Sequence, residues 1–106
     1  MIVVNRFRVP EEYAEGFRAD AELAQAALAE RPGHLEGSLG RNLDDPTLWT
    51  IVTHWENVGS YRRALSAYDV KLNAVPLLSR AIDEPSAFEL VHPGADLNVR
   101  RARSLD

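Results

Sequence analysis

The stretch Leu48-Trp49-Thr50-Ile51-Val52-Thr53-His54-Trp55 decides how this chain is read. Strict alternation places Trp49, Ile51, Thr53 and Trp55 on one face and Leu48, Thr50, Val52 and His54 on the other, the period of a half-buried strand. Both tryptophans therefore face the same way. A tryptophan buries on the order of 200 Å² and needs a partner for its indole N–H, so this face meets either a hydrophobic core or the wall of a ligand pocket.

Working outward, residues 34–43 alternate again, with Leu35, Leu39 and Leu43 on one face and His34, Glu36 and Ser38 on the other. Asp44-Asp45-Pro46-Thr47 is a turn by composition, which makes the two strands a hairpin. Upstream, residues 2–9 form a strand in which Asn5 is the polar member of the row Val3, Asn5, Phe7 and Val9. Pro10, Glu11 and Glu12 suit a helix start, and Tyr13, Phe17, Ala21, Ala24 and Leu28 follow at helical spacing until Pro32-Gly33 ends the run. Gly16 inside that helix implies a close helix–sheet contact or simple tolerance.

Downstream, Asn57 is the expected N-cap of a helix whose stripe is Val58, Tyr61, Leu65 and Tyr68. Ser66 to Asp69 has the outline of a capping box restarting a short helix. On it Val70, Asn73, Ala74 and Leu77 share a face, and Pro76 predicts a break at Val75. A last strand is expected over residues 86–91, with Phe88 and Leu90 on the inner face. The order β-α-β-β-α-β predicts an α+β, ferredoxin-like fold: a four-stranded antiparallel sheet with its helices on one face. The opposite face mixes Ile2, Val4, Val52 and Val91 with Arg6, Arg8, Glu36, His54 and Glu89. That mixture predicts a homodimer whose two sheets close into a dimeric α/β barrel. His54 is read as an interface residue.

The sequence has 106 residues and a formal net charge of −4, enough for one domain over 1–91 with a tail over 92–106 that is expected to be mobile or laid over a partner subunit. The charge has the wrong sign for general attraction to nucleic acid or anionic lipid. Without cysteine the chain has no disulfide, no thiolate catalyst and no cysteine-ligated metal. No apolar run approaches the roughly 20 residues of a membrane span, and a cytoplasmic location is the expectation. The three histidines, His34, His54 and His92, lack the spacing of a metal site.

Val3-Val4-Asn5-Arg6-Phe7, Arg31-Pro32-Gly33-His34 and Val52-Thr53-His54-Trp55-Glu56 leading into Ser60-Tyr61 resemble the antibiotic biosynthesis monooxygenase family of dimeric α/β barrels, over roughly residues 1–91. The resemblance implies a pocket between helices and inner sheet face, and a cofactor-independent monooxygenase acting on an aromatic or quinone-like molecule of polyketide type. Asn5, Trp55 and Tyr61 are the implied catalytic residues, with Phe7, Leu65, Tyr68, Asn73 and Leu77 lining the ligand site. No metal or cofactor is expected. One alternative is the family's haem-binding or haem-degrading branch, whose iron-ligating histidine would fall near Asn73-Ala74, where no imidazole stands. Another is a non-catalytic dimeric module that binds a small apolar ligand.

Overall fold

A computed structural model describes residues 1–97. Strands β1 (Ile2–Arg8), β2 (His34–Arg41), β3 (Leu48–Trp55) and β4 (Ala87–Phe88) form one antiparallel sheet in the order β2-β3-β1-β4. A 3-10 turn (Glu11–Tyr13) leads into α1 (Ala14–Ala29), and three short helices follow β3: α2 (Val58–Ser66), α3 (Tyr68–Asn73) and α4 (Val75–Leu78). This is the ferredoxin-like arrangement that the alternating patterns predict.

The core lies between the helices and one sheet face. Val3 and Phe7 of β1 and Trp49, Ile51, Thr53 and Trp55 of β3 supply its floor; Phe17, Ala21, Ala24, Leu28, Val70, Ala74 and Leu77 supply its roof. The buried alanines of α1 let the helix lie close on the sheet. A Cβ added at Gly16 would meet nothing within 4 Å, so that glycine is tolerated and marks no close approach.

Several local expectations are corrected. In β2, His34 pairs with Trp55 and Glu36 with His54, so Leu35 is an extra residue in a bulge. The bulge turns Leu35 outward, 62% exposed, and brings His34 to the inner face. Leu43 lies beyond the strand and is fully exposed. The last strand is only two residues long, and its register sets Phe88 opposite Ile2 and Ala87 opposite Val3. Phe88 thus lies on the outer side, and Leu90, past the strand end, is also exposed.

The remaining corrections concern the helices. Asn57 caps α2 as expected, accepting the Ser60 backbone N–H at 2.8 Å. The Ser66–Asp69 capping box does not form: Ala67 occupies the cap of α3, and the Ser66 hydroxyl donates back to the Arg62 carbonyl. Ala67 is extended, with ψ of 143°, which rotates Tyr68 off the stripe of Tyr61 and Leu65 and leaves it 80% exposed. The Pro76 break falls at Ala74, one residue before Val75, because Pro76 fits the first turn of α4.

Of the tail, residues 92–97 are described and include a turn in which the Ala95 N–H donates to the His92 carbonyl. The cluster Arg100, Arg101 and Arg103 lies outside the described residues.

Candidate functional site

The inner sheet face carries two aromatic clusters at opposite ends of β3. Trp49 and Trp55 are six residues apart, about 20 Å along an extended strand. At the Trp55 end, His34 meets the indole edge-on with ring centroids 5.1 Å apart, and Tyr61 packs against it, tilted, at 5.6 Å. The Trp55 indole N–H donates to the Thr53 hydroxyl at 2.8 Å, and the side chain is 1% exposed. Burial holds the Tyr61 phenol above its ordinary pKa and His34 below its own. Burial therefore favours the neutral form of both side chains, while the N-terminal ammonium donates to the Trp55 carbonyl at 2.8 Å.

At the other end, Phe7, Phe17 and Trp49 form a chain of tilted rings with centroid separations of 5.0 and 5.4 Å. The Arg41 guanidinium stacks over Trp49 at 5.4 Å. Unlike Trp55, Trp49 has a buried indole N–H with no hydrogen-bond partner among the described residues. A cleft of about 380 Å³ opens beside this cluster, walled by Phe7, Tyr13, Gly16, Phe17, Asp20 and Arg80. Its volume lies within the several hundred Å³ typical of small-molecule sites.

A second cleft of about 360 Å³ continues along α1 between Leu23, Leu72, Asn73, Pro76 and Leu77, sharing Asp20 and Arg80 with the first. A third, of about 380 Å³, lies over Val4, Arg6, Thr50 and Val52 of the outer face and reaches Trp49 and Arg41 at the sheet end.

The proposed catalytic trio is only partly brought together. Trp55 and Tyr61 touch, but Asn5 pairs with Ile51, four residues before Trp55, about 13 Å along the strand. Asn5 is half-buried on the inner face between Val3 and Phe7. Its backbone carbonyl accepts from the Thr50 hydroxyl, while its side-chain amide has no hydrogen-bond partner among the described residues. The lining of the three clefts includes none of Asn5, Trp55 and Tyr61.

Of the expected ligand-lining residues, Phe7 borders the first cleft and Asn73 and Leu77 the second. Leu65 packs against the core. The sequence pattern places Trp49 on the inner face and Tyr13 and Phe17 on the α1 stripe without assigning them to a site, and gives no site signal for His34, Asp20 or Arg80. Phe17 was visible on the α1 stripe, but the bulge that turns His34 inward has no evident sequence signal. Arg80 follows three broken helices, where no period locates it.

Charges at the cleft mouth are held in place. Arg8 donates to Asp45 and to the Thr47 hydroxyl. The Thr47 hydroxyl and backbone N–H, with Arg8, hold the Asp45 carboxyl at about 2, well below its ordinary value. On the outer face, Arg6 donates twice to Glu84, each at 2.7 Å, lowering the Glu84 pKa.

A family model described as antibiotic biosynthesis monooxygenase matches residues 1–71. Comparison with curated proteins finds no match. Among solved structures, an asparagine-to-alanine variant of SnoaB, a cofactor-independent oxygenase from Streptomyces nogalater, is 27% identical, with a TM-score of 0.65 over 76% of this chain and 82% of that one. A Deinococcus radiodurans protein described as a candidate antibiotic biosynthesis monooxygenase is 22% identical, with a TM-score of 0.67 over 95% of this chain and 100% of that one. A conserved protein from Methanosarcina mazei Go1 is 21% identical, with a TM-score of 0.67 over 81% and 84% of the two chains.

Proposed function

The chain belongs to the antibiotic biosynthesis monooxygenase family, and from that premise we propose that it oxygenates an aromatic, quinone-like molecule using dioxygen, without a tightly bound cofactor. The observation that carries this reading is the aromatic cleft at Phe7 and Phe17, with the unpartnered Asn5 amide one pleat away on the same face. Likeness to SnoaB supports the reaction class.

A flat ring system packs against Phe7 and Phe17. The Asn5 amide stands one pleat from Phe7, behind the cleft lining, and this reading requires the ring edge to reach past Phe7 to it. There it donates to the oxygen that becomes anionic when the substrate loses a carbon-bound proton, a preorganised dipole at the point where charge develops. The resulting carbanion gives one electron to dioxygen. Recombination forms a C–O bond, and the hydroperoxide then expels water to leave a carbonyl. One oxygen atom enters the product and the other leaves as water, so the conversion of CH₂ to C=O balances. Trp55 serves this reading as packing, since Thr53 occupies its N–H. Tyr61 is retained as a neutral phenol at the far end of the face.

With anthrone as probe, an oxygen electrode is expected to record one O₂ consumed per anthraquinone formed, faster than autoxidation. Asn5→Ala should reduce kcat about 100-fold with an unchanged circular dichroism spectrum. A native rate equal to autoxidation would instead favour a ligand-binding module without catalysis. The haem alternative finds no support at the expected ligand position, where Ala74 is fully buried and Asn73 borders the second cleft.

We further propose that the outer face packs on a second copy. Ile2, Val4 and Val52 are only half-covered there, and Phe88, Leu90 and Leu35 are exposed. Sedimentation at micromolar concentration is expected to give twice the 11.8 kDa chain mass. Val52→Glu should halve the mass, because two like charges would be buried across the two-fold axis. A monomeric native protein would refute this packing.

A further inference from the structure

Arg80 and Asp20 are the two residues common to the clefts on either side of them, so their ion pair stands where the two spaces meet. Asp20 projects from α1, and Arg80 follows α4, its backbone N–H held by the Leu77 carbonyl at 2.9 Å. The pair rests on one contact, from Arg80 Nη2 to Asp20 Oδ2, at 3.3 Å, with the two side chains 56% and 60% exposed. Such exposed pairs contribute little and exchange readily.

The contrast with the other arginines is informative. Arg6 makes two bonds of 2.7 Å to Glu84, the fork-to-fork geometry that guanidinium and carboxylate favour. Arg8, on the first cleft's wall, is committed to Asp45 and Thr47. Arg80 uses one donor of the five a guanidinium carries. Among the described residues Arg8 keeps Nε and Nη2 free as well, but its Nη1 is held by two acceptors, so Arg80 is the more loosely held of the two arginines on the first cleft and has the more donors to spare.

We infer that Arg80 is a specificity-determining residue that selects aromatic ligands bearing a carboxylate, with Asp20 standing in for that carboxylate in the free protein. The inference rests on the reading of the Phe7 cleft as the site for an aromatic ring system. A ring system against Phe7 and Phe17 extends toward Arg80, and an acid at its end gains the two-donor contact that Asp20 does not make. Glu12, the other carboxylate on the cleft wall, repels an anion and confines the acid to the Arg80 side. On the far side, Leu23, Leu72 and Pro76 offer an apolar continuation to any substituent beyond the acid.

The test compares anthraquinone-2-carboxylate with the matching neutral anthraquinone-2-carboxamide, by titration calorimetry at low salt. The native protein is expected to bind the carboxylate about tenfold more tightly, the equivalent of one charge-assisted hydrogen bond. Arg80→Gln should abolish that preference, so that the two probes bind alike, and Asp20→Asn should increase carboxylate affinity. Equal binding of both probes by the native protein, or a preference that survives in Arg80→Gln, overturns the inference while the aromatic cleft stands. Failure of the native protein to bind either probe overturns both.

Discussion

Replacing Gly33 with alanine is expected to destabilise the protein by about 2–6 kcal/mol, the sum of left-handed backbone strain and overpacking. Gly33 sits at φ +90°, where L side chains rarely go. A Cβ there would lie 2.3 Å from the Ser60 hydroxyl oxygen and 2.4 Å from its Cβ. Ser60 cannot easily retreat: it is 4% exposed, and Asn57 holds both its backbone N–H and its hydroxyl. The Gly33 carbonyl also accepts the Glu56 N–H at 2.8 Å, joining the entry of β2 to the exit of β3. Against a total stability of about 5–15 kcal/mol, the loss should appear as a large fall in the urea midpoint. Gly16→Ala is the control. It lies in α1 with open space around it, and is expected to stabilise by up to about 1 kcal/mol. An unchanged midpoint for Gly33→Ala would show that this corner relaxes freely.

Trp55→Ala is expected to cost about 3–5 kcal/mol, as large aromatic deletions in a packed core do. Trp55 is among the largest fully buried side chains, touching His34 and Tyr61 and closing a hydrogen bond to Thr53. Trp55→Phe separates packing from chemistry: it keeps most of the ring volume and leaves the Thr53 hydroxyl without its donor, at about 1 kcal/mol. Folded Trp55→Phe is expected to oxidise anthrone at close to the native rate. A 100-fold loss of turnover in a protein with an intact urea midpoint would place the indole in the reaction after all.

The sequence patterns were legible wherever a period ran uninterrupted. β3 spans Leu48 to Trp55 as read, because every second residue meets the core. Asn57 was legible because a cap has its own chemistry. Leu35 was misread since one extra residue in β2 inverts the parity of everything before it, including His34. Phe88 and Leu90 were misread since β1 and β4 share only two residue pairs, too few for alternation to report a face. For the candidate site, Phe7 borders the first cleft and Asn73 and Leu77 the second. Asn5 and Trp55 share a face but stand far apart on it, since a face assignment carries no information about separation along the strand.

The break at Ala67 and the second at Ala74 divide the chain after β3 into helices of nine, six and four residues. Each is shorter than the roughly 12–15 residues an isolated helix needs to persist in water. They are held by the sheet and α1 beneath them. Val70, Ala74 and Leu77, all buried in the core, are what seat α3 and α4, so a cavity made at any of them is expected to loosen that roof while the strands below keep their register.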